Sequence, residues 1–235
     1  MRFMVMHKVD ALMEAGGPPP QRIIQEMGQY VQSAIQAGVF QDGAGLHPSS
    51  RRVRLEVASG HATVTRGPYA GQHELLASFA MVHAASIDQA TELARRVAAA
   101  IGDVEIEIGP VVEPWDLGLM PAPAEPAPRF LLLIKADAAS EAGAPRPPAL
   151  TQLLDELARE GVLISAAALG PSANAARYRK TSGKRAWTDG PFAESKELVA
   201  GFSIIDVASP GAARAWAEAY AEILGDNEVD VRPVA

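Results

Sequence analysis

Cysteine is absent from this 235-residue chain, and with it go disulfides, thiolate metal sites, iron–sulfur clusters and a cysteine nucleophile. Any excess of basic residues is missing as well. A net charge of −7 argues against general nucleic-acid binding, which needs clustered Lys and Arg to neutralise phosphates. Long apolar runs are also lacking: Phe130-Leu131-Leu132-Leu133-Ile134 falls far short of the roughly 20 residues of a membrane span. His7 and Lys8 interrupt the N-terminus before a signal-peptide core could form, so a cytoplasmic protein that does not engage membranes is expected. No spacing matches a catalytic or metal-binding signature, and neither a metal nor a cofactor is expected. What remains is ordinary for a globular protein: 48% hydrophobic and 21% charged residues, with 18 prolines and 20 glycines that mark turns rather than disorder.

The chain matches itself. Arg2-Phe3 corresponds to Arg129-Phe130, and the same offset of 127 (129 minus 2) pairs Lys8 with Lys135, Asp10 with Asp137 and Glu14-Ala15-Gly16 with Glu141-Ala142-Gly143. After a slip of four residues in the Pro-rich segments, an offset of 123 pairs Gly38 with Gly161, Pro48-Ser49 with Pro171-Ser172, Ser59-Gly60 with Ser182-Gly183 and Phe79 with Phe202. Gly102-Asp103 likewise pairs with Gly225-Asp226. Matches this regular mean duplication of a whole domain rather than a short solenoid repeat. Domains are expected at 1–114 and 129–235, joined by a Pro/Ala-rich linker at 115–128 whose extended backbone reaches across the edge of a small domain.

Each copy reads as β-α-β-β-β-β-α-β. A short apolar strand (2–8, 129–135) leads through a Pro-rich loop to an amphipathic helix, with Ile23, Ile24, Met27, Tyr30, Val31, Ala34 and Ile35 at helical spacing and Gly38 at its end. A strand near 39–42 follows, then a hairpin turning at Ser59-Gly60. Beyond the Gly-Pro segment come a buried strand (75–83, 198–207), an Ala-rich helix opening at Ser86 or Ser209, and a last strand (104–112, 227–234). The order gives an α+β fold, two ferredoxin-like units elaborated by a hairpin, whose helices cover one sheet face and leave the other needing a partner. Packed sheet to sheet, the units are expected to form a fused, intramolecular pseudo-dimer. An isolated copy is then expected to self-associate, and a homo-oligomer beyond the internal pair is compatible with this plan.

The candidate chemistry gathers around Trp187-Thr188-Asp189-Gly190-Pro191-Phe192-Ala193-Glu194-Ser195-Lys196-Glu197, which the first copy repeats in altered form at 64–74. Asp189 leaves a strand ahead of a Gly-Pro that enforces an extended exit. Its carboxylate can cap the turn, or, beside Lys196 and Glu197 at a cleft mouth, move a proton or hold a polar ligand. Asp189 and Lys196 are the catalytic candidates; Arg177, Trp187, Asp189, Phe192, Glu194, Lys196 and Glu197 are the ligand-binding candidates. In the first copy Arg66, Gly71 and His73 replace Asp189, Glu194 and Lys196, so the second copy is expected to keep the ligand site. All five histidines (His7, His47, His61, His73, His83) lie in the first copy, and none has ligand-like spacing with two partners. The basic stretch from Arg177 to Arg185 reads as a hairpin strand with one solvated face, with an anionic ligand or nucleic acid as the alternative. Gly43-Ala44-Gly45 reads as a turn.

Asp189-Gly190-Pro191-Phe192-Ala193-Glu194-Ser195-Lys196-Glu197, followed by Gly201-Phe202 and an apolar strand, resembles the signature of the DGPF-motif branch of the YCII-related proteins, and with the duplication the resemblance covers nearly the whole chain. It implies the dimeric α+β barrel, and a His–Asp acid–base pair near a cleft as proposed for shorter members, with Asp189 matching that Asp. No His occupies the helix at 149–160. Two functions follow: a small-molecule-binding protein of non-catalytic or regulatory type, or an enzyme of lyase or isomerase type using Asp189. A functional link to extracytoplasmic-function sigma factors is implied by the resemblance alone.

Overall fold

The structure, a computed structural model, describes residues 1–72, 74–192 and 198–235. The first copy forms β1 (Arg2–Lys8), α1 (Ala11–Glu14), α2 (Gln21–Gln36), β2 (Phe40–Leu46), β3 (Val53–Ala58), β4 (His61–Arg66), β5 (Leu76–His83), α3 (Ile87–Ile101) and β6 (Val104–Val112). The second forms β7 (Arg129–Lys135), α4 (Ala138–Glu141), α5 (Pro148–Arg159), β8 (Leu163–Ala168), β9 (Ala176–Thr181), β10 (Lys184–Asp189), β11 (Val199–Asp206), α6 (Pro210–Leu224) and β12 (Asn227–Pro233). No helix among the described residues is long and apolar enough to cross a membrane.

Local chemistry accounts for most boundaries. The Ser86 and Ser209 hydroxyls accept from Gln89 and Ala212 backbone N–H groups and so open α3 and α6. The hairpins β3–β4 and β9–β10 turn on two residues, Ser59-Gly60 and Ser182-Gly183, all four at positive φ, the geometry whose twist matches the flanking strands. One expectation is corrected: Gly43-Ala44-Gly45 is not a turn but the middle of β2, opposite Ser203, Phe202 and Gly201 of β11. The ladder to a neighbouring strand overrides the weak strand preference of glycine.

All strand pairings are antiparallel, and the copies exchange strands. The order β10-β9-β12-β1-β11-β2 makes one six-stranded sheet, here sheet one, in which β1 and β2 of the first copy join four strands of the second. The order β4-β3-β6-β7-β5-β8 makes sheet two, with the roles of the copies reversed. A short β2–β6 ladder joins them at Gly45↔Val112 and Leu46↔Val111, and a single bridge joins Leu169 to Val234. The chain passes between sheets at 47–52 and 169–175, each carrying a 3₁₀ turn. The segment 113–128 does not make that crossing; it connects β6 and β7, neighbours within sheet two.

Each crossing is clamped by residues that the repeat preserves. Glu14 accepts from the Ser49 backbone N–H and hydroxyl, and Glu141 accepts from the Ser172 N–H. The Gly-Pro segment presses on the same turns: a Cβ added at Gly67 would lie 1.7 Å from the Ser49 carbonyl oxygen, and one at Gly190 1.7 Å from that of Ser172. Nothing larger than glycine fits that approach. The repeated Gly-Pro motif is thus a packing device at the point where the chain changes sheets.

Three cores result. Alternation along β1 sends Phe3 and Val5 toward α6 and Met4 and Met6 to the opposite face. Along β7, Phe130, Leu132 and Ile134 face α3 and α5 while Leu131 and Leu133 face the other way. The middle core between the sheets holds Met4, Met6, Leu131 and Leu133, with Phe79 and Phe202 in ring contact at 5.0 Å. The remaining two cores lie between each sheet and its helix pair, α2 with α6 over sheet one and α3 with α5 over sheet two.

Candidate functional site

The two helix-covered faces are not filled alike. On α5, Leu150, Leu154 and Leu157 are buried against sheet two; on α2, only Ala34 is buried. With offset 123, Met27 and Val31 stand where Leu150 and Leu154 stand (150 minus 27, 154 minus 31), and they border open space. Beneath α2 lies a cleft of about 470 Å³, floored by β1, β2 and β11, closed at one side by α6, and rimmed by the 10–20 loop and by Leu117 and Leu119 of the 113–128 segment.

Polar groups converge on the floor. Strand alternation places His7 on the helix side of β1, and its Nδ1 lies 2.8 Å from the Tyr220 hydroxyl of α6. Ser203 of β11 lines the cleft beside it. Asn227, at the start of β12, donates to the Lys8 carbonyl at 3.1 Å and pins the end of β1. Burial pushes the His7 pKa down to about 4; the Asp10 carboxylate opposes this, while Lys8 and Arg52 reinforce it. The imidazole is therefore neutral at physiological pH. Burial also raises the Tyr220 pKa, so the phenol stays protonated. Tyr220 stacks on Trp216 at 5.3 Å, Trp216 meets Tyr30 at 5.1 Å, and the Tyr30 hydroxyl donates to the Trp216 carbonyl at 2.8 Å. This ladder fixes the phenol in place.

Sheet two shows the same positions without the site. The pairs Met6↔Phe202 and Leu133↔Phe79 are one register under the two offsets (133 minus 6 is 127; 202 minus 79 is 123). On that register His7, Ser203, Tyr220 and Asn227 correspond to Ile134, Ala80 and Val97, buried in the core between sheet two and α3/α5, and to Val104, packed against it. Gly43 and Gly45 in the floor of the cleft correspond to Ala166 and Ala168. One face is a packed core and the other is a lined cavity, with polar groups substituted at matched positions.

Comparison with known families fits this duplication. The family model described as "YCII-related domain" matches residues 1–111 and, a second time, residues 129–234. The chain belongs to the YCII-related family. No curated protein and no solved structure matches this YCII-related chain.

None of the described residues proposed from the motif lines the cleft. Asp189, at the end of β10, is 72% exposed in its side chain and ion-pairs with Arg214 of α6. In the first YCII-related copy Arg66 pairs with Asp88 of α3, so both hairpins are tied to the following helix by an ion pair of opposite polarity. Trp187 contacts Tyr178 at 5.1 Å and lies 5.2 Å beneath the Arg214 guanidinium. Arg177 lies 4.3 Å over the Phe192 ring and pairs with Asp230 and Glu228, as Arg54 lies 4.3 Å over Tyr69 and pairs with Glu74 and Glu105. Glu194, Lys196 and Glu197, with His73 of the first copy, fall outside the described residues. The basic hairpin has acid neighbours: Lys180 and Arg185 meet Glu222, and Arg179 meets Glu228.

Sequence reasoning weighed His7 only as one of five histidines and did not single out Ser203, Tyr220 or Asn227. The signal was present in the self-comparison: a polar residue stands opposite an apolar one at four core-facing positions. Among the described residues no group of three His, Cys, Asp or Glu is placed to hold a metal ion.

Proposed function

We propose that this YCII-related chain binds a small molecule in the cleft under α2, and that it does so by recognition rather than by catalysis. The observation that carries the reading is the contrast at matched positions, in which His7, Ser203, Tyr220 and Asn227 replace four apolar residues and a cavity replaces a packed core. A cavity of this volume with apolar walls and a few convergent polar groups has the make-up of a ligand site. A histidine whose pKa lies near 4 is a weak base at neutral pH, which favours a hydrogen-bonding role over proton abstraction. The shared middle core and the strand exchange support reading the two copies as a fused, pseudo-dimeric α+β barrel, and the intact Asp189-Gly190-Pro191-Phe192 supports placement in the DGPF branch. Within that frame the Gly-Pro pair clamps each sheet crossing, Asp189 ties its hairpin to α6, and the ligand lies elsewhere.

Thermal-shift screening of the intact protein tests this. A ligand at about 100 times its Kd should stabilise by about 2.7 kcal/mol, or raise Tm by roughly 5–10 °C in a chain of this size. Gly45→Leu is the control, because a Cβ there meets only Val112 at 3.6 Å and a longer side chain extends into the cleft. Shifts of equal size in Gly45→Leu and the natural protein would show that the ligand binds elsewhere.

A further inference from the structure

We propose that the ligand of this cleft is an uncharged, largely apolar molecule bearing a carbonyl-type oxygen that accepts a hydrogen bond from His7 Nε2. The inference rests on the reading of the cleft as the binding site. Charge balance makes the first half of the case. Arg129, at the rim, is held by Glu113 through two bonds of 2.9 and 2.7 Å. Behind the floor, Lys8 lies 3.0 Å from Asp230 and Arg52 lies 2.7 Å from Glu107. Each of these cations has a carboxylate beside it, while Asp10 on the rim adds a negative charge and, among the described residues, accepts only the Met13 backbone N–H at 2.7 Å. An anionic ligand entering here would be desolvated with no cation in reserve, and burial of an unpaired charge is strongly disfavoured.

Hydrogen-bond direction makes the second half. A phenol is the stronger donor and a neutral imidazole nitrogen the stronger acceptor, so the single phenolic proton is directed at His7 Nδ1, 2.8 Å away. A neutral imidazole accepting at Nδ1 carries its proton on Nε2. Among the described residues no protein group accepts from that Nε2, and His7 lines the cleft. A ligand oxygen with a free lone pair completes the relay from Tyr220 through His7, whereas a hydrocarbon leaves the donor unmet. The walls, built from Ile23, Met27, Val31 and Leu119, favour an apolar body on that oxygen.

Pyrene fluorescence tests the assignment with three probes of one scaffold: the methyl ester of pyrenebutyric acid, the pyrenebutyrate anion and butylpyrene. The intact protein should bind the ester at least about tenfold more tightly than either of the others. In His7→Leu the ester and butylpyrene should converge; should that variant not fold, Tyr220→Phe, which releases the imidazole tautomer, should narrow the same gap. Pyrenebutyrate binding as tightly as the ester would overturn the charge assignment, and an ester no better than butylpyrene, or one that does not bind, would overturn the carbonyl assignment. Ester binding that survives Gly45→Leu unchanged would instead sink the cleft reading on which the inference rests.

Discussion

The face of sheet one under α2 and α6 and the face of sheet two under α3 and α5 come from the same repeat, share a strand register and have similar helix caps. They differ in what fills the space between helix and sheet. Over sheet two, Ile134, Val97, Ala80, Leu150 and Leu154 interlock. Over sheet one, His7 and Tyr220 are hydrogen-bonded beside Ser203, Gly43 and Gly45 replace alanines, and Met27 and Val31 border the cleft. A packed face can hold a fold together with its partner left open. The duplication thus lets one copy of the interface secure the structure while the other is freed to line a cavity, as expected when the stability of the whole is shared across a common middle core.

The comparison predicts where damage should be equal and where it should not. The largest effect belongs to the clamps, which both halves share. Gly67→Ala and Gly190→Ala each force a Cβ into a backbone carbonyl 1.7 Å away, and each should cost more than about 4 kcal/mol or abolish soluble expression. Urea unfolding measures both, and a loss at one site alone would show that the halves are not built on the same clamp.

Helix faces should respond unequally. Leu150→Ala, at a packed position, should cost about 3 kcal/mol, while Met27→Ala, at the matched position over the cleft, should cost less than about 1 kcal/mol because it enlarges an existing cavity. Equal losses would mean that α2 is as well packed in solution as α5.

Acid should separate the faces further. His7 is neutral in the folded protein down to about pH 4, whereas the unfolded chain takes up its proton near the ordinary value of 6.5. Between these values the unfolded state binds more protons, so stability falls as pH drops from 6.5 to 4 and levels off below. The contribution is about 3 kcal/mol at most. His7→Ile, which copies Ile134, should flatten that slope; an unchanged slope would assign the acid sensitivity to other groups.

The smallest effect isolates the relay. Tyr220→Phe leaves Nδ1 of His7 without its donor and should cost about 1–2 kcal/mol. Combining it with His7→Ile should cost less than the two single losses added, since both members of the hydrogen bond are then apolar. A strictly additive cycle would mean that the 2.8 Å contact contributes nothing in solution.

The charge reversal between Asp189 and Arg66 teaches a related lesson. In the chain it reads as one copy keeping a functional acid and the other losing it. In the structure each residue pairs with the following helix, Asp189 with Arg214 and Arg66 with Asp88, so the partner reverses as well. Two residues far apart in sequence had to be placed side by side before the reversal could be seen as compensation.

Local rules made much of the fold legible from the chain alone. The repeat, the element order, the serine caps and the two-residue hairpins follow from hydrophobic period, capping chemistry and turn residues, all short-range properties of the backbone. The candidate site was half legible: setting one copy against the other exposes His7 against Ile134 and Tyr220 against Val97, while the better preserved Gly-Pro pair packs against the sheet crossings. Three features needed the tertiary structure. Strand exchange depends on which edge each strand meets after the 47–52 and 169–175 crossings, and antiparallel pairing with one's own copy or with the other satisfies the same backbone groups. The strand state of Gly43-Ala44-Gly45 depends on β11 beside it. The cleft exists because α2, with the same amphipathic pattern as α5, stands off a sheet whose facing residues are glycine and polar, a mismatch of volume between elements that neither segment records by itself.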